Sequence, residues 1–89
     1  MKDNAATWRP DIEALVFEPD DHQGLCMVHR RAIRTLLRFT PAPRDCETYF
    51  RTHEQAFRAA ASAKIVRHHV TRGKNFHLTS RDVARQMKN

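Results

Sequence analysis

The chain has only two glycines and two cysteines in 89 residues, and no uninterrupted apolar run longer than four residues. Each shortage excludes something. Gly24 and Gly73 stand alone, which rules out a glycine-rich phosphate loop or a dinucleotide fingerprint. Cys26 and Cys46 fall in separate predicted elements without metal-ligand spacing, so neither a zinc ribbon nor a disulfide scaffold is expected. Both sit among apolar neighbours, where a reduced thiol packs as a small hydrophobe. Short apolar runs leave no membrane span, and the polar stretch from Met1 to Trp8 has no hydrophobic segment behind a basic start. A cytoplasmic protein is the expectation. The length suits one domain over residues 1–89, with an ordered core at about 12–88 and no room for a second.

Positive charge is what the chain does have. Residues 1–29 carry two basic and six acidic side chains, whereas residues 30–89 carry fourteen basic and four acidic ones, for a net charge of +6. Such segregation favours acidic partners such as nucleic acid, although solubility alone also accounts for basic charge.

Periodicity supplies the fold. Glu13 to Glu18 and Leu25 to His29 read as strands joined through the turn-rich segment Pro19 to Gly24, an antiparallel hairpin. From Arg30 to Arg38 the apolar stripe Ala32, Ile33, Leu36 and Leu37 predicts a short basic helix. Pro41 and Pro43 interrupt it.

A single long helix is then predicted from Pro43 to His69. Cys46, Tyr49, Phe50, His53, Phe57, Ala60, Ala61 and Ile65 recur at three- and four-residue steps, with charged residues opposite. Pro43, Asp45 and Glu47 mark its start, Glu47 with Arg51 and Glu54 with Arg58 are favourable four-residue pairs, and Gly73 supplies the cap. At 1.5 Å per residue it would run about 40 Å. Asn75 to Leu78 alternates as a third strand. Thr79 to Asp82 form a capping-box pattern before a final helical segment with Val83 and Met87 on one side. The expected fold is α+β, with two layers: a three-stranded antiparallel sheet covered by the long helix, the short basic helix and the C-terminal segment. Its core is expected to include Leu15, Phe17, Met27, Ile33, Leu36, Leu37, Phe50, Phe57, Ile65 and Phe76.

With CMV in the second strand, FRTHEQAF inside the long helix and LTSRDV near the end, the chain resembles a small bacterial family classed as domain of unknown function 1488. The resemblance covers Glu13 to Val83. It implies a compact two-layer α+β domain in a bacterial cytoplasmic protein, with the long helix on an antiparallel sheet. The family has no established activity, so no catalytic residue is carried over.

His53 is the one candidate for a catalytic or ligand-binding side chain, because it stands in the apolar stripe among Tyr49, Phe50 and Phe57. The competing reading is a buried polar histidine that anchors the helix. No Ser, Cys or carboxylate lies at a motif spacing to partner it, and Cys46 is two turns away at about 10 Å. His68, His69 and His77 lack the spacing of metal ligands. No metal, no cofactor and no enzymatic constellation are therefore expected.

The broader candidate is a polyanion-binding set: Arg30, Arg31, Arg34 and Arg38 on the short helix, then Arg67, Arg72 and Lys74 around the end of the long one, with Arg81, Arg85 and Lys88 further on. Arg67, Arg72 and Lys74 also suit the negative end of a helix. Ala59 to Ala63 is a small-residue patch suited either to packing on the chain's own sheet or to helix contact in a homodimer. The expectation is a non-enzymatic binding domain, with an unknown protein partner or a second copy; a nucleic-acid accessory protein is the alternative.

Overall fold

The computed structural model describes residues 6–87. Four strands and four helices follow in the order β1 (Thr7–Arg9), β2 (Ala14–Phe17), β3 (Cys26–His29), α1 (Arg30–Leu37), α2 (Pro43–Thr52), α3 (Glu54–His68), β4 (Phe76–His77) and α4 (Ser80–Met87). The fold is α+β. The sheet differs from the expected one: it has four strands in the order β1-β2-β3-β4, antiparallel except for the β3–β4 pair.

Strand β1 lies in the segment placed outside the ordered core. Three residues are too few for a periodic signal, yet Trp8 pairs across to Leu15 and packs against the core. The turn back to β2 puts Glu13 at φ 50°, and the Glu13 carbonyl accepts the Arg30 amide at 2.9 Å. The first hairpin is thereby tied to the start of α1. Residue 88, the far end of the expected core, lies outside the described residues.

Strand β4 runs parallel to β3 and not antiparallel as expected; alternation of side chains carries no information about which way a strand runs. The loop before β3 decides it. Leu25 N–H donates to Asn75 Oδ1 at 2.9 Å, Phe76 N–H to the Leu25 carbonyl at 3.0 Å and Leu78 N–H to the Met27 carbonyl at 2.9 Å. The segment after α3 returns to this loop, where the Lys74 carbonyl meets His22 Nε2 at 2.8 Å, so the chain enters β4 from the same end as it entered β3. Gly24 is required at the crossing, because a Cβ there would run into the Lys74 carbonyl.

The predicted rod is two helices. A straight helix of about 40 Å would be longer than the extent of the fold along any of its principal axes, the largest being 33 Å. The break falls at His53, whose backbone leaves helical geometry at φ −118°, ψ 31° and whose amide is shared between the Tyr49 and Phe50 carbonyls at 3.0 and 3.2 Å. One residue earlier, the Thr52 hydroxyl donates to the Thr48 carbonyl at 2.9 Å, a side-chain bond that bends helices. After the bend α3 lies along α4, the most extensive helix–helix contact in the fold.

The remaining helix signals meet different fates. Pro43 opens α2, and Asp45 Oδ2 accepts the Ala42 amide at 2.9 Å. Glu54 pairs with Arg58 at 2.8 Å, while Glu47 and Arg51 form no ion pair among the described residues. Gly73 is not the helix cap. His69 takes the left-handed conformation at φ 51°, and the Val70 amide closes onto the Ile65 carbonyl at 3.0 Å. Partly buried Val70 packs against the core, which rewards reversal four residues early. The C-terminal capping box forms as read: the Thr79 amide donates to Asp82 Oδ2 at 2.9 Å and the Asp82 amide to Thr79 Oγ1 at 3.1 Å.

One hydrophobic cluster joins sheet and helices. Leu15, Phe17, Cys26, Val28 and Phe76 share a sheet face by register, and Ile33, Cys46, Phe50, Phe57, Ala60, Ala61 and Val83 meet it from the helices. Phe50 sits 5.0 Å from Phe17 and 5.1 Å from Phe57, centroid to centroid. Met27, Leu36, Leu37 and Ile65, expected in the core, are only partly buried. Met27 alternates onto the opposite sheet face, and the other three lie at the edge of the cluster. Within the small-residue patch, Ala60 and Ala61 are buried in this core, while Ala59 and Ser62 are exposed. Both cysteines are unpaired and buried, and burial raises both thiols above their ordinary range. No helix among the described residues is long and apolar enough to cross a membrane.

Candidate functional site

Register places Ala14, Val16, Met27, His29 and His77 on the sheet face opposite the helices. At the ends of β3 and β4 this face opens into a cleft of about 850 Å³. His29 and His77 are exposed there, with ring centroids 5.8 Å apart at 66°. Helix α1 begins directly after His29 and forms another wall through Arg30 and Arg31 at its start and Arg34 one turn on. Thr40, Thr79 and Ser80 add hydroxyls. The cleft thus lies where parallel strands end and helices begin, the usual place for ligands beside parallel strands.

The three arginines are not equivalent. Arg30 is held by the fold: its guanidinium stands 5.4 Å over the Trp8 ring and 3.8 Å from Glu13, and its Nε is buried without a hydrogen-bond partner. It ties β1 to α1. Arg31 and Arg34 are exposed, three residues apart on one side of the helix, and form no ion pair among the described residues. The acidic residues of the cleft are partly engaged already. Asp11 is held bidentately by Arg9 at 2.7 and 3.1 Å, and this hydrogen bonding keeps its carboxyl below the ordinary range. Glu13 faces Arg30.

The other basic residues are not brought to this cleft. Arg38 is the left-handed cap of α1, its amide on the Arg34 carbonyl at 2.7 Å. Arg67 lies exposed in the last turn of α3. Arg72 borders a smaller depression of about 350 Å³ with Asp20, Asp21 and Arg58. Lys74 contributes its backbone carbonyl, which accepts a 2.8 Å hydrogen bond from His22 Nε2. Arg81 and Arg85 follow on α4, and Lys88 lies outside the described residues. Proximity in sequence therefore does not make one continuous basic patch.

His53 lines neither depression. Its ring packs tilted against Tyr49, centroids 4.6 Å apart, and its backbone marks the break between α2 and α3. This is a position with a structural job. No group of three or more His, Cys, Asp or Glu residues among the described ones is placed to hold a metal ion.

Sequence reasoning missed His29 and His77 as site residues. The alternation Phe76, His77, Leu78 already points His77 away from the core. Its meeting with His29 depends on the parallel register, which the sequence pattern does not encode. No family model matches the chain, and comparisons with curated proteins and with solved structures also find no match.

Proposed function

We propose that the protein is a small cytoplasmic binding domain without catalytic activity, whose α1 side meets an acidic protein partner. Its resemblance to domain of unknown function 1488 belongs to the same proposal. The observation that carries the reading is the pair Arg31 and Arg34: two exposed guanidinium groups with no ion pair among the described residues, on the wall of a concave cleft. Guanidinium forks suit carboxylates, and a charged rim accelerates encounter with an oppositely charged partner.

A nucleic-acid accessory role is the second reading. It is favoured by the exposed His29 and His77 rings beside those arginines, since flat rings next to cationic groups accept unstacked bases. Fluorescence anisotropy with an acidic polypeptide and with DNA and RNA oligonucleotides, at low and at moderate salt, separates the two. Peptide binding weakened by Arg31→Ala with Arg34→Ala supports the first reading; salt-sensitive oligonucleotide binding without peptide binding supports the second. Absence of all binding even at low salt overturns both.

A further inference from the structure

We infer that the cleft between α1 and the ends of β3 and β4 is a site for a phosphate dianion, held by Arg31 and Arg34 with His29 and His77 completing the cradle. The inference rests on the reading of the α1 side as anion-binding, and it specifies the group that is bound. Three observations converge on it. The cleft, about 850 Å³, has the size of a small-molecule site and would admit a phosphate together with the group that carries it. Its lining brings donors from two elements together, the arginines of the helix and the imidazoles of the sheet, so that a phosphate with three oxygens to satisfy can be met by both. Its nearest acids are occupied, Asp11 by Arg9 at 2.7 Å and Glu13 by Arg30 at 3.8 Å, so Arg31 and Arg34 supply the charge left to be met.

The chemistry explains the division of labour among these residues. Arginine stays protonated and offers paired N–H groups to phosphate oxygens, while an imidazole adds a single directed donor. A phosphate monoester carries about one and a half to two negative charges near neutral pH. The opening of α1 carries no side-chain cap, and its Arg30 amide is already bonded to the Glu13 carbonyl at 2.9 Å, so the ligand is met by side chains and not by that amide.

The test is titration of the full chain with inorganic phosphate at constant pH and ionic strength, following the histidine ring resonances by NMR. Saturable shifts are expected at His29 and His77, with none at buried His22. The apparent Kd should rise about tenfold or more in the Arg31→Ala, Arg34→Ala double variant, and a His77→Gln variant should weaken binding less. All of these residues are exposed, so the melting temperature should stay at the wild-type value. Two arms identify the source of the phosphate. Tighter binding of adenosine 5′-monophosphate than of inorganic phosphate indicates a small phosphoester; tighter binding of a 5′-phosphorylated than of a 5′-hydroxyl oligonucleotide indicates a strand end. Shifts that do not saturate, that chloride reproduces, or that persist in the double variant overturn the site. If acidic peptide or oligonucleotide binds while phosphate leaves both rings unmoved, the phosphate site falls and the binding-domain reading stands. Saturable phosphate binding without either polyanion has the reverse meaning.

Discussion

The two ends of the parallel β3–β4 pair are built on opposite principles. At the end where both strands begin, His22 is buried with Nε2 on the Lys74 carbonyl, Gly24 allows the close crossing, and Asn75 receives the Leu25 amide. Where the strands finish, His29 and His77 face solvent and Arg31 and Arg34 have no acidic partner among the described residues. Polar groups at the first end are spent on register, whereas at the second they remain available for a ligand. A buried polar group needs its partner inside the protein, while an exposed one is satisfied by water until something better arrives.

That contrast sets the order of effects to be expected from substitution. Gly24→Val should be the most damaging, costing about 3 kcal/mol or more, because the obstacle is backbone and neither strand can yield without losing its ladder. Chemical denaturation measures it; a loss below 1 kcal/mol would mean that the crossing is loose. His22→Ala should cost about 2 kcal/mol, from the lost hydrogen bond to Lys74 and the edge contact with Phe76 at 5.5 Å.

One satisfied group lies just beyond the open end and sharpens the comparison. Asp82 closes the α4 cap and binds Lys64 of α3 at 2.8 Å, both side chains being largely buried. Burial alone would raise its carboxyl, but the hydrogen bonds from Lys64 and the Thr79 amide outweigh this and hold it below the ordinary range. A lowered carboxyl stabilises the fold above its unfolded-state value near pH 3.9, and that contribution disappears as pH falls through the folded-state value. Asp82→Asn should therefore cost about 1 kcal/mol at pH 7 and progressively less below pH 4. Thermal melts at a series of pH values check it, and a pH-independent difference would assign the effect to packing.

Substitution at the open end should do least to stability. The Arg31→Ala, Arg34→Ala double variant should unfold within about 0.5 kcal/mol of wild type, since neither side chain is held by a described acid. A larger loss, seen in urea denaturation, would mean that these arginines belong to the fold, as Arg30 does through Trp8 and Glu13.

What was legible in the chain was local. The β2–β3 hairpin, α1, the Pro43 start and the Thr79–Asp82 box each declare themselves within a few residues, because turn chemistry, apolar period and capping act at that range. Phe17, Phe50 and Phe57 were read as core for the same reason. The continuous rod failed because its apolar period persists across His53, whereas the bend comes from the backbone and from Thr52 turning onto Thr48. The candidate site was half visible: Arg31 and Arg34 come from a helical pattern and His29 directly precedes that helix, but His77 lies more than 40 residues further along the chain.

Sequence by itself determined an α+β chain with basic charge on α1, a buried aromatic cluster and reduced cysteines, since composition and period suffice to choose which faces must leave water. Only tertiary structure decided that β4 runs parallel to β3, that β1 joins the sheet, and that His77 meets His29 and the arginines around one cleft. Those outcomes depend on contacts between distant segments, above all the crossing of Gly24 and Lys74, and no local preference of either segment contains them.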